Sequence, residues 1–427
     1  MKIFSAIFIS FFLCFQIAFC QKNKIEISGF ARIDHIFTIK YFDSPIISSR
    51  KQGLVEAKLS KKISEKFKLF TSLEFRGDLS DASRNRIFPK ELYMDFSFKS
   101  LDFKLGKQKY YWGRADGINF TNNICSVDYS DFLDTKDEEI GQISLSTKYY
   151  LKNWTLQAVY IPLFSQSVLP NKNSIWNISL PSVIPNTYGG YFIPVYNYLP
   201  DNTPEKYDFK TGQYAFKLDN RNSIFDFSTS YYHGYSHLPE FIKTAEMINF
   251  DSIRINIQKY YFPKDIIGFD FASTIKKIGI KAEAAYFITQ GEQAKQLNFR
   301  HDYIQYAAGI DYRKEINNNS FYFILQWMQE IVPSGFKYSN TSFNHIFQKA
   351  ILARAEINSK NIISFSVQGL YDVEFKNYYL KPQVNYKIFD GVEFMIIADI
   401  LEEINDKSIF GIYNNNDRIQ MKVKYYF

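Results

Sequence analysis

Cysteine is almost missing from this chain of 427 residues, which carries three, at positions 14, 20 and 125. Two of them fall in the apolar leader described below. Cys125 would then stand alone, which excludes an intramolecular disulfide framework and a thiolate metal cluster. Histidine is nearly as scarce, at positions 35, 233, 237, 301 and 345, and none sits in a recognisable nucleophile motif. After the leader there is no run of roughly 20 apolar residues, the length that a membrane-crossing helix needs. The basic residues, 51 against 44 acidic ones, are scattered rather than clustered, so nucleic acid is not an expected partner. No linker-like stretch divides the chain, and one large unit is expected.

What the sequence does hold is aromatic: 42 Phe and 32 Tyr bring the aromatic share to 18%, a composition that favours strands. Lys2 followed by the apolar run Ile3 to Phe19, with Ala18-Phe19-Cys20 ahead of Gln21, reads as a signal peptide over residues 1–20. A lipidated Cys20 is the competing reading, and the bulky Phe19 before it fits that processing poorly. From Gln21 onwards the dominant signal is alternation. It is clearest at the end of the chain, with Ile419, Met421, Val423, Tyr425 and Phe427 on one face and Arg418, Gln420, Lys422, Lys424 and Tyr426 on the other.

Strands are expected near 25–40, 51–61, 66–76, 90–99, 101–111, 141–151, 153–161, 206–218 and 223–233. A second set follows near 266–276, 278–289, 303–313, 320–331, 346–358, 361–373, 377–388, 391–402 and 417–427. These segments of about ten residues, separated alternately by short and long connections, predict an all-β fold: a transmembrane, antiparallel, up-and-down β-barrel of about 18 strands with both termini periplasmic. Its first strand should pair with its last, because only closure removes sheet edges from lipid. Short polar connections such as Lys99-Ser100, Lys152-Asn153, Lys276-Lys277 and Asp390-Gly391 fit periplasmic turns. Long loops are expected near 112–140, 162–205, 234–265 and 290–302. The second holds seven of the 13 prolines and cannot be a transmembrane strand. Inside the barrel mouth it would narrow or seal a pore, and outside it would offer an aromatic surface.

The face that alternation turns inward is ionisable, which argues for a water-filled interior. Arg32, Arg76, Lys104, Asp311, Arg313, Arg354, Lys422 and Lys424 are candidate pore-lining residues there. Strands near the seam also supply Lys58, Lys68 and Arg418, whereas the middle strands supply Asp226, Asp270, Glu283 and Asp311, so a basic wall would face a more acidic one and favour anions. The loop after residue 111 adds Trp112, Arg114 and Asp116 as constriction candidates. Its acidic stretch, Asp128, Asp131, Asp134, Asp137, Glu138 and Glu139, reads first as a solvated loop. Calcium could use Asp128, Asp131 and Asp134, yet the spacing matches no calcium loop, and neither a metal nor a cofactor is expected. His233 and His237 are read as solvated loop residues rather than a metal pair.

Leu105-Gly106-Lys107-Gln108 followed by Trp112-Gly113-Arg114-Ala115-Asp116-Gly117 resembles the Leu-Gly-x-Gln and Trp-Gly-x-x-Asp segment of large porin-like outer-membrane barrels, the broad group that includes alginate-export-like and carbohydrate porins. The resemblance implies a strand running into a loop at a pore mouth and passive passage of sugars or sugar acids. Lys107 and Lys109 share a face with Leu105, which a bulge after Gly106 or a place near lipid phosphates would reconcile. The expected function is therefore a passive channel for small hydrophilic solutes, anionic or carbohydrate-like ones among them, and not an enzyme. The expected location is the outer membrane of a diderm bacterium, among its lipids, with Phe427 ending the strand that the barrel-assembly machinery reads. The alternative is a surface barrel that binds a polysaccharide or protein partner, or serves assembly, without open conduction.

Overall fold

A computed structural model describes residues 25–39, 46–134, 138–177, 180–186, 189–204, 212–290, 301–336, 345–346, 348–402 and 408–427. The expected signal peptide lies outside the described residues, as do Asp137 and parts of the long loops. Eighteen strands form one antiparallel sheet that closes on itself. In chain order they are β1 (Ile25–Ile39), β2 (Ile46–Ser64), β3 (Phe67–Asp78), β4 (Arg86–Phe98), β5 (Leu101–Gln108) and β6 (Gln142–Leu151). Next come β7 (Trp154–Ile161), β8 (Gln213–Arg221), β9 (Phe225–Tyr235), β10 (Pro263–Ile275), β11 (Ile278–Thr289) and β12 (Tyr303–Ile316). The circuit ends with β13 (Asn319–Ile331), β14 (Lys349–Ser359), β15 (Ile363–Asp372), β16 (Tyr378–Phe389), β17 (Val392–Glu402) and β18 (Asp417–Tyr426).

Closure runs through β1 and β18, in register from Phe30 opposite Tyr426 to Ile39 opposite Asp417. The alternation read from the last strand is the alternation of the wall. Arg418, Gln420 and Lys422 are 1–5% exposed, whereas Met421, Val423 and Tyr425 are 38–43% exposed. Closure thereby leaves no unpaired sheet edge, and apolar side chains cover the outside.

Two strands and one expected bulge differ most from the sequence reading. β2 starts at Ile46 and runs to Ser64, because Lys61 and Lys62 continue its ladder with Ile25 and Lys68. β8 is displaced towards the C-terminus and ends at Arg221, since Asp219 has an inward partner that makes it strand rather than turn. No bulge follows Gly106. β4 and β5 stay in register there, with Gly106 opposite Tyr93 and Lys107 opposite Leu92, and the Lys107 ammonium lies 3.7 Å from the centre of the Phe88 ring. The irregularity falls instead between Ser72 and Leu73, opposite Pro89, where proline cannot donate to the ladder.

The long loop after β7 divides. Its first part packs on the segment that follows β5, with Val168 bridged to Asp128 and Trp176 against Phe132, while Ile184–Pro185 and Tyr191–Tyr198 join Glu240–Met247 and Ser252–Tyr260 in a separate four-stranded sheet beyond the β7–β10 end. Pro194 is tolerated in that sheet because Ile193 and Leu199 supply the donors towards Asp251 and Ile257, leaving the proline nitrogen on the other edge.

Candidate constriction inside the barrel

The segment from Lys109 to Ile140 crosses the barrel interior and is fastened to the wall nearly all the way round. Two tight turns start it, at Gly113 (φ 89°) and Gly117 (φ 80°). A β-carbon on Gly113 would fall 2.3 Å from the Asn119 side chain, and one on Gly117 would fall 2.8 Å from Leu352, so both turns need glycine. Between them Arg114 reaches the middle strands. It donates to Asp219 on β8 at 2.6 Å and pairs with Asp270 on β10. The amides of Arg114, Ala115 and Phe120 all donate to Glu283 on β11, and that of Asp116 donates to Gln326 on β13.

The acidic half of the segment docks on the opposite wall. Asp128 pairs with Arg86, and Glu138 with Arg76 and Arg86 at 2.5 and 3.1 Å. Asp131 takes Arg418 at 2.8 Å and Arg50 at 2.6 Å, and Asp134 takes Lys422 at 3.2 Å and Arg32 at 3.7 Å. Asp128, Asp131 and Glu138 are buried and Asp134 is only 14% exposed, which corrects the expectation of a solvated acidic loop. Their oxygens are committed to guanidinium and ammonium groups rather than offered to calcium, and the described residues contain no metal-binding cluster. Burial would raise the Asp131 carboxyl, but Arg418 and Arg50 outweigh it and hold the group below the usual range. Asp134 is likewise held well below it, with Lys422 and Arg32 overcoming burial. For Glu138 burial wins, Arg76 offsetting it only in part, and the carboxyl is raised.

Apolar packing completes the crossing. Trp112 is 4% exposed, donates to Gln157 at 3.3 Å, and joins Tyr110, Ile124 and Cys125 against Val159, Ala215, Tyr232 and Phe287 of the wall. Cys125, the cysteine left beyond the leader, is part of this packing, and burial pushes its thiol up to about 12. On the other side Phe132 meets Trp176 and Tyr413, over inward-facing Met328, Leu352 and Leu401. The expectation of a uniformly water-filled interior is corrected accordingly. At this level the barrel is packed, because the segment brings its own apolar side chains.

The remaining candidates lie towards the short-turn end and are more open. Asp116 pairs with Lys281 at 2.8 Å, both 28% exposed, and Lys281 also reaches Asp311 at 3.4 Å. Arg313 lies 5.0 Å from the Tyr322 ring centre, Arg354 pairs with Glu356 at 2.5 Å, and Lys104 with Asp95 at 3.5 Å. Lys424 sits over the rings of Phe30 and Tyr426. The candidate set therefore splits: Arg32, Arg76, Trp112, Arg114 and Lys422 hold the crossing segment, while Lys104, Asp116, Asp311, Arg313, Arg354 and Lys424 face the open half. The alternation of β11 also turns Lys281 inward, as the structure bears out, whereas sequence reasoning missed the docking arginines Arg50 and Arg86. His233 and His237 do not converge: one bonds Asp265 and the other the Ser165 carbonyl, and burial pushes the His237 imidazole down to about 4.

Residues 57–326 match the family model described as "Protein of unknown function (DUF1302)". The chain belongs to this family. No curated protein matches the sequence of this DUF1302 member. Among solved structures it is similar to OccAB3 of Acinetobacter baumannii, with 11% identity and a TM-score of 0.54 over 95% of this chain and 99% of that one. It is also similar to OccK11 (OpdR) of Pseudomonas aeruginosa, with 9% identity and a TM-score of 0.51 over 94% and 96% of the two chains. The outer membrane protein opdK of Pseudomonas aeruginosa gives 9% identity and a TM-score of 0.50 over 95% and 98%. At these identities the likeness shows the fold alone, a closed antiparallel β-barrel. The narrower resemblance to alginate-export-like proteins rests on the Leu105 to Gly117 motif alone.

Proposed function

We propose that this protein is an outer-membrane channel through which small hydrophilic solutes diffuse passively, narrowed by the segment from Lys109 to Ile140. The observation that carries the reading is the half-exposed ladder of charges between the short-turn end and that segment, built from Lys104, Asp116, Lys281, Asp311, Arg354 and Glu356. A packed interior would have no use for ionised groups left 18–38% exposed on the inner wall, whereas a solute exchanging its hydration shell needs such partners. Because both signs alternate along the ladder, polar, carbohydrate-like solutes fit it as well as small anions do. The reading includes export by residues 1–20, periplasmic termini and recognition of the strand ending in Phe427 by the assembly machinery.

A planar bilayer tests it. Single-channel recordings of the refolded barrel should show stable steps, and Asp116→Asn should shift the reversal potential towards anions while Lys281→Gln shifts it the other way. Absence of conductance from a folded barrel would sink the channel reading.

One observation favours the alternative of a binding barrel. The separate sheet exposes Tyr191, Tyr198, Met247 and Phe250 at 64–100%, a large apolar surface outside the barrel. If the barrel conducts nothing, and still conducts nothing once residues 180–204 are trimmed, that sheet becomes the place to look for a partner.

A further inference from the structure

The rim formed by the short turns carries a pattern that the lumen does not use. In four of its eight turns a lysine occupies left-handed backbone: Lys99 (φ 39°), Lys152 (φ 52°), Lys276 (φ 59°) and Lys360 (φ 52°). That conformation brings a β-carbon against the neighbouring carbonyl, and glycine or asparagine ordinarily fills it, as Asn317, Asn318 and Gly391 do in neighbouring turns of the same rim. Four separate turns thus share one locally unfavourable choice. What they gain in common is an exposed ammonium on the same end of the barrel.

Pairing does not explain the choice. Arg221 and Lys387 on this rim have Asp219 and Asp390 at 3.0 and 2.6 Å, whereas none of the four turn lysines forms an ion pair with a described carboxylate. Their surroundings point elsewhere. Exposed Phe98, Trp154, Ile275 and Ile362 lie directly beside the four turns, and the ammonium of Lys66, in the turn before β3, lies 5.9 Å from the centre of the Phe98 ring. An apolar and aromatic band with lysine tips just past it matches the boundary between hydrocarbon and headgroups, where the stem lies on the apolar surface and the ammonium reaches phosphate. The four turns join β4 to β5, β6 to β7, β10 to β11 and β14 to β15, so they are spread round the circumference. A soluble partner would meet one sector of such a ring. A lipid leaflet meets all of it.

We propose that the short-turn rim is a collar for anionic phospholipid headgroups, with Lys99, Lys152, Lys276 and Lys360 as its phosphate contacts. The inference goes beyond channel function and requires only that the barrel be embedded in a bilayer; conduction plays no part in its test.

The test compares the wild-type barrel with the Lys99→Asn, Lys152→Asn, Lys276→Asn, Lys360→Asn variant in nanodiscs of phosphatidylcholine alone or mixed with phosphatidylglycerol. Asparagine suits the left-handed turns better than lysine, so in neutral lipid the variant should melt no lower than wild type, read by the heat-dependent shift in gel mobility. Native mass spectrometry should find phosphatidylglycerol retained by wild type about five-fold or more over its retention by the variant, since each lysine at an anionic surface contributes a factor of that order. Raising the salt should erase the difference. Equal retention by the two proteins would overturn the proposal. So would millimolar inorganic phosphate displacing the lipid or stabilising wild type as the lipid does, which would make the ligand free phosphate. A variant that melts lower in neutral lipid would assign the lysines to turn stability and overturn it as well.

Discussion

Asp131 lies between Arg418 and Arg50 with its side chain 2% exposed, so its charge answers to those two partners and hardly to solvent. Glu138, a few residues on, answers to burial first. The two carboxyls should therefore respond to pH and to substitution with opposite signs. Asp131 is held below its unfolded value, so the stability it contributes is present above the ordinary aspartate range and is lost only as pH falls through the depressed value. Glu138 is raised, so the docked state takes up its proton more readily than the released one, and acidification through the ordinary glutamate range favours docking at that group. Cys125 supplies the readout. It is 7% exposed within the docked segment and is the single thiol left once residues 1–20 are removed, so labelling by a maleimide reports release. Labelling of wild type, referred to the reagent's rate with free thiol at each pH, should not rise between pH 7 and pH 5. At pH 7 Asp131→Asn should speed labelling, because leaving two guanidinium groups short of a buried carboxylate costs about 3 kcal/mol, whereas Glu138→Gln should leave it unchanged or slower. Faster labelling in Glu138→Gln than in Asp131→Asn would refute this assignment.

Strand-length patterns were readable because the wall has two unlike faces: every second side chain points outward and is mostly apolar, and the period of two persists through the last strand from Arg418 to Tyr425. Even the closing pair of strands followed from the need to leave no edge. The crossing segment was readable only as an interruption, a Trp-Gly-Arg-Ala-Asp-Gly run at a strand end. Its destination was hidden because its partners are remote in the chain: Asp131 and Arg418 are 287 residues apart, and Asp116 and Lys281 are 165 apart. Local pattern carries no information on such pairs, so the acids looked solvated. The glycines were the one local clue to a fixed path. Asn119 turns the chain by accepting from the Thr121 and Asn122 amides at 3.0 and 3.1 Å, in the space that a side chain at 113 would take. Gly113→Ala should thus release the segment at a cost of about 1–2 kcal/mol for the left-handed backbone plus the lost turn. The barrel itself, judged by its heat-dependent gel mobility, should stay folded while Cys125 labelling accelerates. Unfolding of the barrel instead would mean that wall and segment form one cooperative unit.

The sequence places basic residues on the strands beside the seam and acidic ones on the middle strands, and this asymmetry suggested a field acting on solutes. In the folded molecule most of it is spent internally. The segment carries a complementary distribution, with Arg114 facing Asp219 and Asp270, and Asp128, Asp131, Asp134 and Glu138 facing Arg86, Arg418, Lys422 and Arg76. The two walls thus determine which half of the segment docks where, and a reversed docking would bury like charges together. Burying an ion pair adds little net stability over an apolar contact, but exposing one partner alone is expensive, so the arrangement specifies a position more than it strengthens the fold. Its consequence for conduction is testable in one variant. Replacing Asp128, Asp131, Asp134 and Glu138 together by Asn or Gln removes four negative charges and uncovers Arg32, Arg50, Arg76, Arg86, Arg418 and Lys422 to the lumen. Conductance should rise as the segment leaves, and the reversal potential should move towards anions because the basic wall then keeps only Asp34, Glu74, Asp78 and Asp399 as counter-charge. A larger conductance without that shift would mean that solutes pass on the Asp270 and Glu283 side, away from the basic wall. An unchanged conductance would place the conducting path outside the segment's reach and leave docking a purely structural role.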